Sequence, residues 1–210
     1  EDALVLTRRR GELMYEAGLA HPGAMAALLG LSREDAEAAC AEAAGAGIVR
    51  AANLNAPGQV VISGEPAAVD AACERAKTKG AKRAIRLEVS GAFHSPLMKP
   101  AAKGLTEALN AVTIRDARCP VISNAWARPV QKAGEIRQAL EEQLLSSVRW
   151  EESMRWLLAQ GVEGFVELGS GKVLRGLLRS IDSAASSWNV EDPDSLTATR
   201  TALAAAGRNA

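Results

Sequence analysis

Aromatic residues make up only 3% of the 210-residue chain: four Trp, two Phe and one Tyr. That is too few for a stacking platform that reads single-stranded nucleic acid. Charge of one sign is also missing, because 25 Lys plus Arg balance 25 Asp plus Glu. The zero sum gives no field for nucleic acid or an acidic membrane. Only three cysteines are present, Cys40, Cys73 and Cys119, and they form no CxxC pair. Cys40 and Cys73 sit among alanines in helical patterns and read as buried thiols. Two histidines, His21 and His94, are too few and too isolated for a zinc site, and no metal site is expected. There is no apolar run of about 18 residues, so no membrane span is expected. No signal peptide and no repeat is visible.

What remains is an ordinary globular composition, with 48% hydrophobic and 24% charged residues. A chain of this length buries roughly 70% of the surface that its unfolded form exposes, so a core needs no staple. The abundance of alanine points to a compact, helix-rich interior.

Residues 1–18 have the pattern of one amphipathic helix closed by Gly18. From residue 24 the elements alternate. Ala24–Gly30 is a strand, and Ser32 caps a helix reaching about Ala44. Ile48–Leu54 and Gln59–Ser63 are strands around the turn Asn55-Ala56-Pro57-Gly58. Pro66 opens a helix to Thr78, and Ala84–Ser90 is a closing strand with Ile85, Leu87 and Val89 on one face. The order β-α-β-β-α-β is the split βαβ of a ferredoxin-like domain. Further on, the reading is a helix over 97–112, a strand over 120–126, helices over 135–147 and 152–159, and a strand over 162–168. Gly169-Ser170-Gly171 turns into a helix over 172–181. Strand, glycine turn and helix belong to an α/β layer packing. Residues 183–196 read as a polar linker, and the last 14 as a weak helix.

His94 follows a strand in the loop Ser90-Gly91-Ala92-Phe93-His94-Ser95-Pro96. A histidine placed there is either a general base or a loop residue bonded to nearby backbone. Arg10 falls near Leu6 and Met14 on the apolar stripe of its helix. It either snorkels or awaits an acidic partner or an anionic ligand. Asn55 lies at a strand end, where an asparagine makes a turn or points its amide into a cleft. Gly169-Ser170-Gly171-Lys172 is not a Walker A loop, because Val166 stands where its first glycine is needed and Val173 where Ser or Thr is needed. Its glycines are expected to let strand and helix meet closely. Arg75, Lys77, Lys79, Lys82, Arg83 and Arg86 give six positive charges against Glu74. That run is a solvated face or a docking patch for an acidic partner, with Lys79, Lys82 and Arg83 at its centre.

Four segments come in one order with sensible spacing. They are Arg8-Arg9-Arg10-Gly11-Glu12-Leu13-Met14, Ala52-Asn53-Leu54-Asn55-Ala56-Pro57-Gly58-Gln59-Val60-Val61-Ile62-Ser63-Gly64, Gly91-Ala92-Phe93-His94-Ser95-Pro96-Leu97-Met98 and Gly169-Ser170-Gly171-Lys172-Val173-Leu174. Together they resemble the malonyl-CoA:acyl-carrier-protein transacylases of fatty-acid synthesis, over residues 1 to about 182. The resemblance implies an α/β fold. A large α/β-hydrolase-like subdomain would hold 1–22 and 91–182, and an inserted ferredoxin-like (βαββαβ) small subdomain 23–90, with 183–210 as linker and weak helix.

It also implies a mechanism without a cofactor, in which malonyl-CoA is a substrate. A serine in a GHSxG elbow takes the malonyl group, and the acyl carrier protein's phosphopantetheine thiol receives it. His94 matches the base, and Arg10 the clamp on the malonyl carboxylate. Gln143 matches the residue whose backbone carbonyl orients the histidine. Asn55 and Phe93 are expected at the substrate, Phe93 filling space beside the acyl carbon. The implied setting is a cytoplasmic monomer that docks its acidic carrier through the basic run. No GxSxG occurs among these 210 residues, and the chain opens on Glu1-Asp2 without methionine. The expectation is that the serine and an oxyanion glutamine belong to a segment outside this sequence, and that the chain alone is inactive. A non-catalytic carrier-binding remnant and a free-standing polyketide acyltransferase are the other readings.

Overall fold

The computed structural model describes residues 2–207; Glu1 and residues 208–210 of the expected terminal helices lie outside the described residues. The chain divides into two compact units, one ending at Ser153 and one beginning at Met154.

In the first unit α1 (Asp2–Ala20) leads to β1 (Ala24–Leu29), α2 (Arg33–Glu42), β2 (Val49–Ala56), β3 (Gln59–Gly64), α3 (Pro66–Thr78) and β4 (Arg83–Arg86). The four strands form one antiparallel sheet in the order β2-β3-β1-β4. Local chemistry explains the boundaries. Ser32 Oγ accepts the Asp35 amide at 3.1 Å and caps α2, with Glu34 and Asp35 in the positive first turn. Pro66 begins α3, where a missing N–H costs nothing. Pro57 followed by Gly58 at φ +71° is the combination that a type II turn needs between β2 and β3.

One face of the sheet packs against α2 and α3 through Ala26, Leu28, Ile62, Ala36, Ala39, Val69 and Ala72, among others. The alanines bring helix and sheet backbones close, which is how an interior with few aromatics fills its volume. Cys40 and Cys73 lie in this core, and burial pushes the Cys40 thiol up to about 12, so it is inert. On the opposite face Met25, Ala52 and Val61 form a small cluster against Phe93.

A short 3-10 turn (Pro96–Met98) then opens α4 (Lys99–Asn110), followed by the two-residue strands β5 (Val121–Ile122) and β6 (Pro129–Val130), and by α5 (Ala133–Gln143). A second core joins Leu13, Met14 and Ala17 of α1 to Met98, Leu105 and Leu109 around α4, with Leu144 beyond α5. α6 (Trp150–Ala159) carries the boundary between the units. The second unit holds β7 (Gly164–Leu168), α7 (Val173–Ile181), β8 (Ser186–Val190) and α8 (Pro193–Gly207). β7 and β8 pair in parallel, and Thr199 of α8 donates to the Asn189 carbonyl at 3.1 Å. Among the described residues no helix is long and apolar enough to cross a membrane.

Several local expectations are corrected. Gly18 does not end α1, which continues to Ala20; it is buried against the backbone of Ser90 and Gly91. The closing strand stops at Arg86, so Leu87 and Val89 lie beyond it, and Ile85, Leu87 and Val89 are all exposed. The strand over 120–126 shrinks to Val121–Ile122, because Ser123 begins a tight turn in which Ala127 takes φ +50°. Residues 183–196 are not simply a linker. Ser186–Val190 is a strand whose polar and small residues hid it, since its order comes from pairing with β7 rather than from an apolar alternation.

Candidate functional site

The loop after β4 is held on both sides of His94. Ser95 Oγ donates to the Ala92 carbonyl at 2.6 Å and accepts the Leu97 amide at 3.3 Å. Gly23 lies directly under Ala92, where any Cβ would collide with it. Between these fixed points His94 takes φ +59°, a left-handed conformation that costs a non-glycine residue about 1–3 kcal/mol. The surrounding bonds hold it there, and the imidazole turns toward the end of α5.

His94 Nδ1 lies 3.1 Å from the Gln143 carbonyl oxygen. A carbonyl only accepts, so Nδ1 carries the proton and the Nε2 lone pair is left free. Burial holds the His94 pKa below the ordinary histidine value, and the charges of Arg10 and Arg50 push the same way. The backbone carbonyls of Gln143 and Ser146 oppose them by favouring the imidazolium. The ring is therefore neutral at neutral pH and can accept a proton at Nε2.

A cavity of about 400 Å³ opens beside the ring. Arg10, His94 and Gln143 line it together, and Ile122, Val130, Ile136 and Leu140 supply an apolar wall. Arg10 is half-buried and makes no hydrogen bond or ion pair among the described residues. Burial lowers its pKa without bringing a counter-charge. An unpaired guanidinium facing a half-apolar cavity suits a small ligand with a carboxylate at one end.

The other residues singled out from sequence fall elsewhere. Phe93 does not line this cavity; it packs between the second core and the Met25, Ala52 and Val61 cluster. Asn55 is half-buried near the end of β2 and is not part of the cavity wall. Ser123 and Asn124 do line it, and sequence reading placed them inside a strand. The basic run is largely neutralised: Lys77 pairs with Glu74 at 2.6 Å, Lys79 with Glu42 at 2.6 Å and Arg86 with Asp70 at 3.0 Å. Arg75, Lys82 and Arg83 have no ion-pair partner among the described residues. Among those residues no group of three or more His, Cys, Asp or Glu could hold a metal ion.

The Gly169–Lys172 turn is an anion seat already filled from within. Glu167 accepts the Leu174 amide at 3.0 Å and the Arg175 amide at 2.9 Å, at the start of α7. Glu191 accepts the Gly171 amide at 2.9 Å. Gly169 and Gly171 have φ of +127° and +87° with open space around them, so their freedom serves the turn and not a close approach of strand and helix.

Known proteins resemble this chain in sequence and in fold. The acyl transferase domain family matches residues 1–190. A malonyl CoA-acyl carrier protein transacylase of Bacillus subtilis is 49% identical over 197 residues, which is 93% of this chain and 62% of that protein. The crystal structure of the malonyl CoA-acyl carrier protein transacylase from Clostridium perfringens superposes with a TM-score of 0.93 at 35% identity, covering 98% of this chain and 65% of that one. A malonyl-transacylase in complex with a type II PKS acyl-carrier protein superposes at 0.88 with 42% identity, over 93% and 63% of the two chains. The chain thus spans less than two thirds of the length of these relatives. With the α/β architecture and the match over most of its length, it belongs to the acyl transferase domain family.

Proposed function

We propose that this chain supplies the base and the carboxylate-recognising residues for malonyl transfer from malonyl-CoA to the phosphopantetheine thiol of an acyl carrier protein. The observation that carries the reading is the pairing of an oriented, neutral His94 with an unpartnered Arg10 in one cavity. In this reading Gln143 fixes the Nδ1–H form and Nε2 takes the proton of the attacking group. A hydroxyl attacks the malonyl thioester carbonyl: a C–O bond forms, the C–S bond breaks, and the imidazolium returns the proton to the leaving CoA thiolate. The carrier thiol then gives its proton to Nε2, attacks the ester and regenerates the hydroxyl. Arg10 pairs with the free malonyl carboxylate throughout.

The α-β sandwich of residues 23–90 is read as a ferredoxin-like insertion, with 1–22 and 91–182 belonging to the larger subdomain. Phe93 serves as the support on which the His94 loop rests, and Asn55 belongs to the rim near the β2–β3 turn. Arg75, Lys82 and Arg83 are what remains of the basic run for an acidic carrier to meet, with Lys79 tied to Glu42. The reaction is placed in the cytoplasm, in a monomer.

The attacking hydroxyl is the one part that these residues do not offer in a GxSxG elbow. Ser95 Oγ is committed to Ala92, and Ser63 is fully buried. A second reading is a carrier-binding module without catalysis. A fusion of this chain to the part of the Bacillus subtilis relative that it does not span separates the two. The transferase reading expects malonyl transfer from CoA to carrier that falls roughly 10²–10⁴-fold on His94→Ala. A folded fusion whose rate is indifferent to His94 leaves only the binding module.

A further inference from the structure

Arg50 stands on β2, the edge strand of the four-stranded sheet, and its side chain reaches across to the segment that follows α5. Its Nη1 donates to the Leu145 carbonyl at 3.2 Å, and its Nη2 to Ser147 Oγ at 3.1 Å. Ser147 Oγ in turn donates to the Ala51 carbonyl at 2.7 Å, which ties the segment back to the strand beside Arg50. One step further, the Leu54 amide donates to the Val148 carbonyl at 2.8 Å and the Val148 amide to the Ala52 carbonyl at 2.7 Å. The segment from Leu145 to Val148 is thereby fastened along the β2 edge.

Gln143, whose carbonyl receives His94 Nδ1–H, is only two residues before Leu145. It closes α5, where helical carbonyls have lost their own partners and can turn. Leu144 is buried in the second core and fixes where the chain passes. Burial of an apolar side chain does not fix which way the preceding carbonyl points. The two-pronged guanidinium, planar and rigid, constrains the peptide groups immediately downstream.

We infer that Arg50 is a positioning residue: by clamping Leu145 and Ser147 it holds the Gln143 carbonyl on His94 Nδ1 and so fixes the imidazole tautomer with Nε2 unprotonated. Its second effect is electrostatic. Arg50 and Arg10 are the charged groups that face His94, and both disfavour the imidazolium. The inference rests on reading His94 as the base, but the experiment below reads the ring itself and needs no turnover.

The chain contains two histidines, so ¹⁵N NMR of the imidazoles resolves His94, with the exposed His21 as internal reference. In the unaltered chain at pH above the His94 transition, the Nδ1–H tautomer should dominate. In Arg50→Ala the Nε2–H tautomer, which free histidine favours in water, should become the major form. Arg50→Lys keeps the charge but lacks the planar, rigid fork that spans the two acceptors, so it should give a mixture. Ser147→Ala should shift the balance in the same direction by less. A purely structural Arg50 would lower the melting temperature and leave the tautomer alone. Retention of the Nδ1–H form in folded Arg50→Ala overturns the inference. Should that variant not fold, retention in Arg50→Lys does so. Neither result touches the transfer reading, which stands or falls on the fusion assay.

Discussion

Gly18 of α1 lies backbone to backbone against Ser90, at the start of the loop that carries His94. A Cβ on Gly18 would sit 3.2 Å from the Ser90 carbonyl carbon and nearer still to its oxygen. This contact sets how far α1, with Arg10, stands from the histidine loop. Gly18→Ala should therefore force the two apart and destabilise the chain by about 1–3 kcal/mol, despite the better helix propensity of alanine. Gly11, on the same helix, has nothing within 4 Å of its would-be Cβ. Gly11→Ala should stabilise by roughly 0.5–1 kcal/mol. Urea denaturation of the two variants checks both signs.

Arg10 is expected to trade stability for recognition. Its guanidinium is desolvated without a partner, so Arg10→Met should leave the melting temperature equal or raised. In the fusion assay Arg10→Ala should lose malonyl transfer by roughly tenfold to a hundredfold, the equivalent of about 1.5–3 kcal/mol for a charge-assisted contact. Acetyl transfer should hold or improve, because acetyl has no carboxylate to pair. Equal losses for both acyl groups would make Arg10 structural.

His94 links stability to pH. Its folded pKa lies below its unfolded value, chiefly through burial. The unfolded state then binds the proton first as pH falls, so this contribution is full above the ordinary histidine pKa of about 6.5 and declines below it. Melting temperatures between pH 7.5 and pH 5 should fall more for the unaltered chain than for His94→Gln. Parallel curves would mean that the ring is as easily protonated folded as unfolded.

The basic run now makes an uneven prediction. Lys79→Glu breaks the pair with Glu42 and places two carboxylates together, so it should disturb both stability and any carrier response. The double change Lys82→Glu, Arg83→Glu touches no ion pair. It should raise the apparent KM for an acidic carrier and flatten its salt dependence, since exposed charges act over a Debye length of about 8–10 Å. Steady-state kinetics of the fusion at two ionic strengths decides it. An unchanged KM and salt slope would show a merely solvated face.

The β-α-β-β-α-β order of residues 24–86 was legible because each element carries its own local signals: Ser32 as cap, Pro57-Gly58 as turn, Pro66 as helix start. Arg10 could be placed on an apolar stripe for the same reason. The bond from His94 to Gln143 spans 49 residues, and no local pattern announces it; only resemblance to a family pointed there. Arg50 was missed altogether, because its partners Leu145 and Ser147 are a carbonyl and a hydroxyl of a loop, which leave no mark in a sequence pattern. Phe93 packs between two apolar clusters, a placement made by tertiary contacts that no local pattern announces.

The bridge between Asn53 and Val148 has a further effect on how the sheet meets other molecules. An open strand edge is a template on which another chain can add itself and start an aggregate. Here β2, on one flank, has its middle hydrogen-bonding groups taken up by Val148. β4, on the other flank, is four residues long and places exposed Arg83 and Arg86 at its ends. Arg86 is offset by Asp70, so the free charge on this short edge is that of Arg83, which repels a like copy approaching in register. Arg83 therefore guards solubility whether or not a carrier ever docks beside it, and its replacement by a small neutral residue would first be felt in crowded solutions.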